Sequence, residues 1–240
     1  MRRAVLDLIR SMRVRRLVRP LVLHHATCFG DRPGGQRIRR LLFVCHGNVC
    51  RSPFAERLAK VRIDWCTVYS AGVRAKPNLR SPERLVRIAQ ALGVDLEHRR
   101  SVRIGPAHVA WADLILVMDA DNFARVAADF PDAVRKMTLL GLFAPDASPV
   151  IGDPDPTSED AILDALGHIR EAVNGLAAWL EGDGKASAVA RRRPPRAGSV
   201  TAAVEAAVSG RLSNTHARDR SARVPTHSVP RVERDEPCAG

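Results

Sequence analysis

The sequence predicts an α/β protein with a three-layer doubly wound fold, in which helices flank a mainly parallel four-stranded sheet. Three observations carry that prediction. Short apolar runs alternate with longer segments of helical period through the middle of the chain. One run, Leu114–Met118, is apolar throughout, as a strand covered on both faces must be. Another, ending at Val44, passes through a short loop into a helix start, the kind of junction at which open α/β sheets take ligands.

The elements follow in order. Arg40–Val44 reads as a strand because four β-favouring apolar residues follow one another, and Ser52–Arg62 reads as a helix opened by Ser-Pro. Thr67–Ser70 is a second short strand. Pro82–Leu92 carries Leu85, Ile88, Ala89 and Leu92 at helical spacing and stops at Gly93. Leu114–Met118 is the third strand, Asn122–Asp129 a helix and Met137–Leu140 the fourth strand. A helix from Ser158 to about Leu180 closes the domain at Gly182.

Residues 41–53 read LLFVCHGNVCRSP, with Cys45 followed six positions later by Arg51 and then Ser52. A thiolate attacks phosphorus only where its charge is tolerated beside an anionic substrate. The unpaired N–H groups and positive dipole end of a helix start supply that tolerance. Gly47 allows close backbone approach, Asn48 accepts unusual dihedral angles, and Arg51 has the planar fork that grips two phosphate oxygens. Ser52 also reads as a helix cap beside Pro53.

The run Cys45-His46-Gly47-Asn48-Val49-Cys50-Arg51-Ser52-Pro53 resembles the signature of the low-molecular-weight protein tyrosine phosphatases. Ser70-Ala71-Gly72, the stretch Leu92 to His98, Asp113 to Asp119 and Asp153-Pro154 fall in the family's order, across about residues 40–181. The resemblance implies hydrolysis of phosphotyrosine on proteins through a phosphocysteine, with Cys45 as nucleophile and Arg51 as phosphate clamp. His46, Gly47, Asn48, Val49, Cys50 and Ser52 would form the phosphate loop, and Ser52 would donate to the departing thiolate. Asn48, Ser70 and His98 match positions that hold the loop in shape, Asp119 ends a strand near the site, and Cys50 could shield Cys45 by a reversible disulfide.

The family places its general acid in an Asp-Pro loop before the last helix, and here Asp153-Pro154-Asp155-Pro156 offers two aspartates. Counting from Asp153 brings Ile162, Leu166 and Ile169 onto the apolar positions of the closing helix without a gap, so Asp153 is assigned the role. The aromatic wall that many members carry after Asp-Pro is replaced by Asp155-Pro156. Phosphoarginine, or a phosphomonoester other than phosphotyrosine, therefore stands as an alternative substrate. No metal or other cofactor is implied, because Arg51 and backbone amides supply the charge stabilisation.

Charge divides the chain. Residues 1–40 hold 11 Arg against two Asp, and residues 183–240 hold 11 basic against 6 acidic residues, which leaves −2 of the formal +12 for residues 41–182. The high charge belongs to the flanks. With aromatics at 4% and no stacking run in either flank, specific nucleic-acid binding is not expected. Residues 1–39 form a basic extension, 40–182 the phosphatase domain and 183–240 a basic tail expected to be disordered. Val5, Leu8, Ile9 and Met12 share one helical face, as do Leu17, Leu21 and Val22. Residues 1–23 thus read as a helix on an anionic membrane, a helix flanking the domain, or an extension without a role.

Five cysteines in odd number, without zinc spacing or a secretory cleavage pattern, fit a reducing compartment, and the expected location is cytoplasmic or membrane-peripheral. Arsenate reduction is disfavoured because the next cysteine after Cys66 is Cys238, in the tail. A phosphate-binding adaptor without turnover is disfavoured because nucleophile, cation and acid are all present. The resemblance further implies a phosphoprotein partner, such as a tyrosine kinase of polysaccharide assembly.

Overall fold

The computed structural model describes residues 20–26, 29, 38–144 and 147–181. Four strands, β1 (Arg40–Cys45), β2 (Thr67–Gly72), β3 (Leu114–Val117) and β4 (Met137–Leu139), form one sheet in the order β2-β1-β3-β4. Every pairing is parallel. Helices α1 (Arg51–Arg62), α2 (Glu83–Ala91), α3 (Pro106–Trp111), α4 (Ala120–Asp129) and α5 (Glu159–Glu181) connect or cover the strands. Both β1 and β2 run further than their apolar pattern indicates, to a register in which Cys45 faces Gly72. The fourth strand is shorter than expected, and Leu140 opens a 3-10 turn, Leu140–Phe143. That turn, the six-residue α3 and the 3-10 turn Pro131–Lys136 are too short to show a hydrophobic period.

Alternation along the strands builds two cores. Leu41, Phe43, Leu114 and Leu116 meet α1, α2 and α5 on one face, while Leu42, Val44, Ile115 and Val117 meet α3 and α4 on the other. Helix α2 stops in a Schellman turn: Gly93 takes φ +79, Val94 N–H donates to Ala89 O at 2.8 Å and Gly93 N–H to Gln90 O at 2.9 Å. The entry to β1 is held by Asp113, whose Oδ2 accepts from the backbone N–H of Arg39 and Arg40 while Oδ1 accepts from the Arg40 guanidinium at 2.6 Å. The chain leaves β1 for β2 on one side and later returns to β3 on the other. The C-terminal end of β1, where Cys45 lies, is therefore the topological switch point of the sheet.

The N-terminal flank contributes to this body. Residues 20–26 are helical, with Leu21 buried in one core and Phe29 in the other, so this strap passes around the outer edge of β4. His24 Nε2 donates to Met137 O at 3.1 Å, and His25 Nδ1 lies 2.8 Å from Thr138 Oγ1. Phe29 meets His24, His25 and Trp179 edge-on or stacked. An edge strand with unpaired carbonyls invites pairing with another chain, and the strap covers it. Leu21 and Val22, which the sequence offers to a membrane, are packed against the domain instead. Residues 1–19 and 182–240, with the rest of the membrane face and the tail, lie outside the described residues. Among those described, no helix is long and apolar enough to cross a membrane.

Burial, helped by the neighbouring His24, pushes His25 down from 6.5 to about 4. Above pH 6.5 the ring is neutral in both folded and unfolded chains and the fold keeps its full stability. As pH falls from there towards 4, the unfolded chain takes up a proton that the folded one refuses, and stability is lost across that window. In thermal unfolding Tm should fall between these limits, and fall less in His25→Gln; an equal slope in the two proteins would contradict the assignment. Phe29→Ala should cost about 2 kcal/mol of stability in denaturant titration, for the apolar area it exposes.

Candidate active site

The loop from Cys45 to Arg51 closes over the end of β1. Its left-handed residue is Asn48, at φ 53, a conformation asparagine tolerates. Gly47 is not in that region, and a Cβ added there would make ordinary contact with Val49 at 3.5 Å, so the packing of the loop on the protein does not itself require this glycine. The glycine that the loop does need is Gly72. A Cβ on it would lie 2.8 Å from both Asn48 N and His46 O, which explains the small residue closing Ser70-Ala71-Gly72. His46 is exposed and holds the loop only by its backbone, where its carbonyl accepts from Arg74 N–H at 2.9 Å. Val49 and Cys50 are half-buried at the loop's far side.

Cys45 is buried, with Ser52 Oγ 3.0 Å from its Sγ and Asn48 N–H donating to it at 3.3 Å. Helix α1 begins directly after the loop, and its N-cap, Cys50, makes no side-chain hydrogen bond to the first turn. Ser52 is not a cap: its hydroxyl accepts from Asn48 Nδ2 at 2.9 Å and lies within reach of the sulfur and of Ala71 O. A hydroxyl has one proton, and a thiolate is the stronger acceptor, so ionised Cys45 draws the Ser52 O–H towards sulfur. The helix start thus keeps its N–H groups for an anion while Ser52 serves the nucleophile.

Arg51 is the largest fully buried side chain, at 1% exposure. Its Nη1 donates to Asp119 Oδ2 at 2.7 Å and to Ile151 O at 2.9 Å, and Nη2 lies 3.0 Å from Asp153 Oδ1. The buried Nε–H has no partner among the described residues. A guanidinium has five donors; both on Nη1 are committed, which leaves Nε and Nη2 for two oxygens of a phosphate. Asp119 is doubly employed, because its Oδ1 caps α4 by accepting from Asn122 N–H at 2.7 Å. Cap and clamp fix each other.

Behind the loop lies a buried polar relay that the sequence reading caught only in part. Asn48 Nδ2 donates to Ser70 Oγ at 2.8 Å, and Ser70 Oγ donates to Glu56 Oε2 at 2.6 Å. Arg99 Nη2 lies 3.0 Å from Glu56 Oε2, and donates to Ser70 Oγ at 2.9 Å and to Asn48 Oδ1 at 3.4 Å. Asn48 and Ser70 are where the reading put them. His98 is not: its side chain is exposed, and the neighbouring Arg99 makes these contacts. Glu56 carries a legible signal, an acidic residue one turn after Ser52 among the apolar positions of α1. Its burial at 4% needs the cation that only the fold brings to it.

Of the two aspartates, Asp153 faces Arg51, with its side chain 62% exposed at the mouth of the loop. Asp155 turns away and accepts from Thr157 N–H at 2.8 Å and Thr157 Oγ1 at 2.7 Å, bonds that hold its carboxyl below the ordinary range. Ile162, Leu166 and Ile169 are buried on α5. Cys66 is buried with Sγ 3.6 Å from Ile38 O, away from the loop, and Cys28 and Cys238 lie outside the described residues. No cluster of three metal-ligating side chains occurs among the described residues.

Burial, then the neighbouring charges of Cys45 and Asp153, push the Cys50 thiol up to about 12 against the lowering effect of Arg51. Cys50 is therefore a poor nucleophile at neutral pH, and a slow resolving thiol if Cys45 is oxidised. Iodoacetamide at pH 8 should alkylate Cys45 and spare Cys50, read by fragment mass spectrometry of the peptide that holds both. Equal labelling of the two would contradict this placement.

Known proteins with this geometry can now be compared. The family model described as low molecular weight phosphotyrosine protein phosphatase matches residues 40–215, well over half of the chain. The low molecular weight protein-tyrosine-phosphatase Etp of Escherichia coli (strain K12) is 32% identical over 136 residues, 57% of this chain and 90% of the relative. A protein-arginine-phosphatase of Geobacillus stearothermophilus is 32% identical over 116 residues, 48% of this chain and 78% of the relative. The tyrosine phosphatase Wzb from Escherichia coli K30, solved in complex with sulphate, superposes with a TM-score of 0.57 at 29% identity, covering 60% of this chain and 99% of that one. The chain belongs to the low-molecular-weight phosphotyrosine protein phosphatase family and is a cysteine-dependent phosphatase.

Proposed function

We propose that this protein hydrolyses phosphotyrosine on proteins in two steps through a phosphocysteine at Cys45, with Asp153 as the acid. The observation that carries the proposal is Arg51, buried beside the nucleophile's loop with Nη1 committed and Nε unpartnered among the described residues. A phosphate can accept from Nε and from Nη2, which carries two N–H donors, beside the Asp153 carboxyl. Cys45 Sγ attacks phosphorus as the bond to the leaving oxygen breaks, and that oxygen takes the proton from Asp153. Water then attacks phosphorus, giving its proton to the Asp153 carboxylate, and the S–P bond breaks. The thiolate leaves towards the Ser52 hydroxyl, 3.0 Å away.

A second substrate reading, phosphoarginine, is favoured by two facts. Asp155-Pro156 stands where an aromatic wall would otherwise follow the acid, and one relative is named a protein-arginine-phosphatase. The only tyrosine, Tyr69, packs against Trp111 with ring centroids 4.9 Å apart on edge strand β2 and supplies no wall. Phosphotyrosine is the leading reading because Etp and Wzb, similar over a comparable span, are named tyrosine phosphatases. The proposed partner is a phosphoprotein, in particular a tyrosine kinase of polysaccharide assembly. Peptides carrying phosphotyrosine or phosphoarginine at the same position should differ in kcat/KM in favour of the former; the reverse order would reassign the substrate.

With p-nitrophenyl phosphate, Cys45→Ser should abolish turnover. Asp153→Asn should lower kcat by about 10²-fold or more, whereas Asp155→Asn should leave it near wild type. A wild-type kcat in Asp153→Asn together with a large loss in Asp155→Asn would transfer the acid role. Asn48→Ala should lower kcat/KM by about 10²-fold, since the sulfur and the loop lose one common support.

A further inference from the structure

Beside the phosphate loop, two irregular segments are laced into one platform. Asn78 N–H donates to Ser101 O, Ser101 N–H to Leu79 O and Leu79 N–H to Ser101 Oγ, each at 2.9 Å. Ser101 Oγ donates in turn to Lys76 O at 2.5 Å. The platform is tied to the catalytic loop at three points: Val73 N–H to Cys45 O at 3.0 Å, Arg74 N–H to His46 O at 2.9 Å and Val102 N–H to Asn48 Oδ1 at 2.8 Å. Its position is thus fixed relative to the nucleophile.

What it presents to solvent is unusual for this domain. Leu79 and Val102 are exposed at 47% and 37%. Around them Arg74, Lys76, Arg80 and Arg103 are exposed, and none of these four is in an ion pair among the described residues. Residues 73–82 and 99–104 contain no acidic residue, although residues 41–182 carry a net −2. Asp153, by contrast, lies beside Arg51. A platform of unpaired cations around two apolar side chains, rigidly joined to a phosphate site, is complementary to a chain that is acidic and partly apolar.

We propose that this platform is the seat for the polypeptide flanking the phosphorylated residue, and that it selects acidic phosphopeptides. Leu79 and Val102 take apolar substrate atoms, and Arg74, Lys76, Arg80 and Arg103 take aspartate or glutamate side chains beside the phosphorylated residue. The proposal rests on the phosphatase reading above and adds the substrate's sequence context to it.

The test uses the full chain and three phosphotyrosyl peptides alike except for flanks of Glu, Ala or Lys, with p-nitrophenyl phosphate as the flankless control. The Glu-flanked peptide should exceed the Ala-flanked one by about tenfold in kcat/KM at low ionic strength, with the Lys-flanked one lowest. The preference should shrink as salt is raised. In the double variant Arg74→Gln/Arg103→Gln the ratio of Glu-flanked to Ala-flanked peptide should move towards one, and Leu79→Ser, which leaves the cations in place, should keep that ratio. Equal kcat/KM for the three peptides, with normal turnover of p-nitrophenyl phosphate, overturns the proposal and leaves the phosphatase reading standing. Absence of turnover of p-nitrophenyl phosphate overturns the catalytic reading itself.

Discussion

The side-chain amide of Asn48 is the constraint on which the site depends. Its two N–H bonds go to Ser52 Oγ and Ser70 Oγ, and its oxygen accepts from Val102 N–H and, more weakly, from Arg99. All four hydrogen-bonding positions of the amide are therefore used, and its own backbone N–H points at Cys45 Sγ. One residue thus joins the nucleophile, the helix start of α1, strand β2 and the segment before α3. At 1% exposure, an amide with any of these partners missing would carry the full cost of a buried unsatisfied group. Loop shape and fold stability are coupled through it.

Charge is arranged in the same manner on the other side of the loop. A buried guanidinium is tolerated because Asp119 and Ile151 O hold one of its nitrogens, and Asp119 is itself fixed by capping α4. The remaining face of Arg51 is turned to the substrate and to Asp153. Two cations, the buried Arg51 at the end of the loop and the half-buried Arg99 behind it, are thus each matched to a carboxylate. The phosphate arrives in a site whose charges are already in position, which is the condition for electrostatic catalysis without reorganisation.

How much of this was legible in the sequence depends on the kind of residue. Cys45, Arg51 and Ser52 lie in a contiguous run between a strand and a helix, so spacing alone places them together. Asp153 required a count along α5, and its position beside Arg51 comes only from the fold. Glu56 and Arg99 were missed because each makes sense only with the other, 43 positions apart. His98 was named from the resemblance, and irregular backbone has no period from which to read that its neighbour Arg99 turns inward instead. That Gly72 lies against the loop backbone was not legible for a similar reason, since close approach between segments is a property of the packed chain. Leu21 and Val22 were legible as part of an amphipathic stretch over residues 1–23, but which surface they cover depends on the fold.

The central claim is a phosphoryl group carried on Cys45 and discharged with the help of Asp153. Rapid denaturing quench of Asp153→Asn during turnover of p-nitrophenyl phosphate, followed by peptide mass spectrometry, tests it most directly. The expected result is one phosphoryl group on Cys45, absent from Cys45→Ala and from protein quenched without substrate. Phosphate on another residue, or full turnover with no covalent phosphoprotein at any quench time, would contradict it.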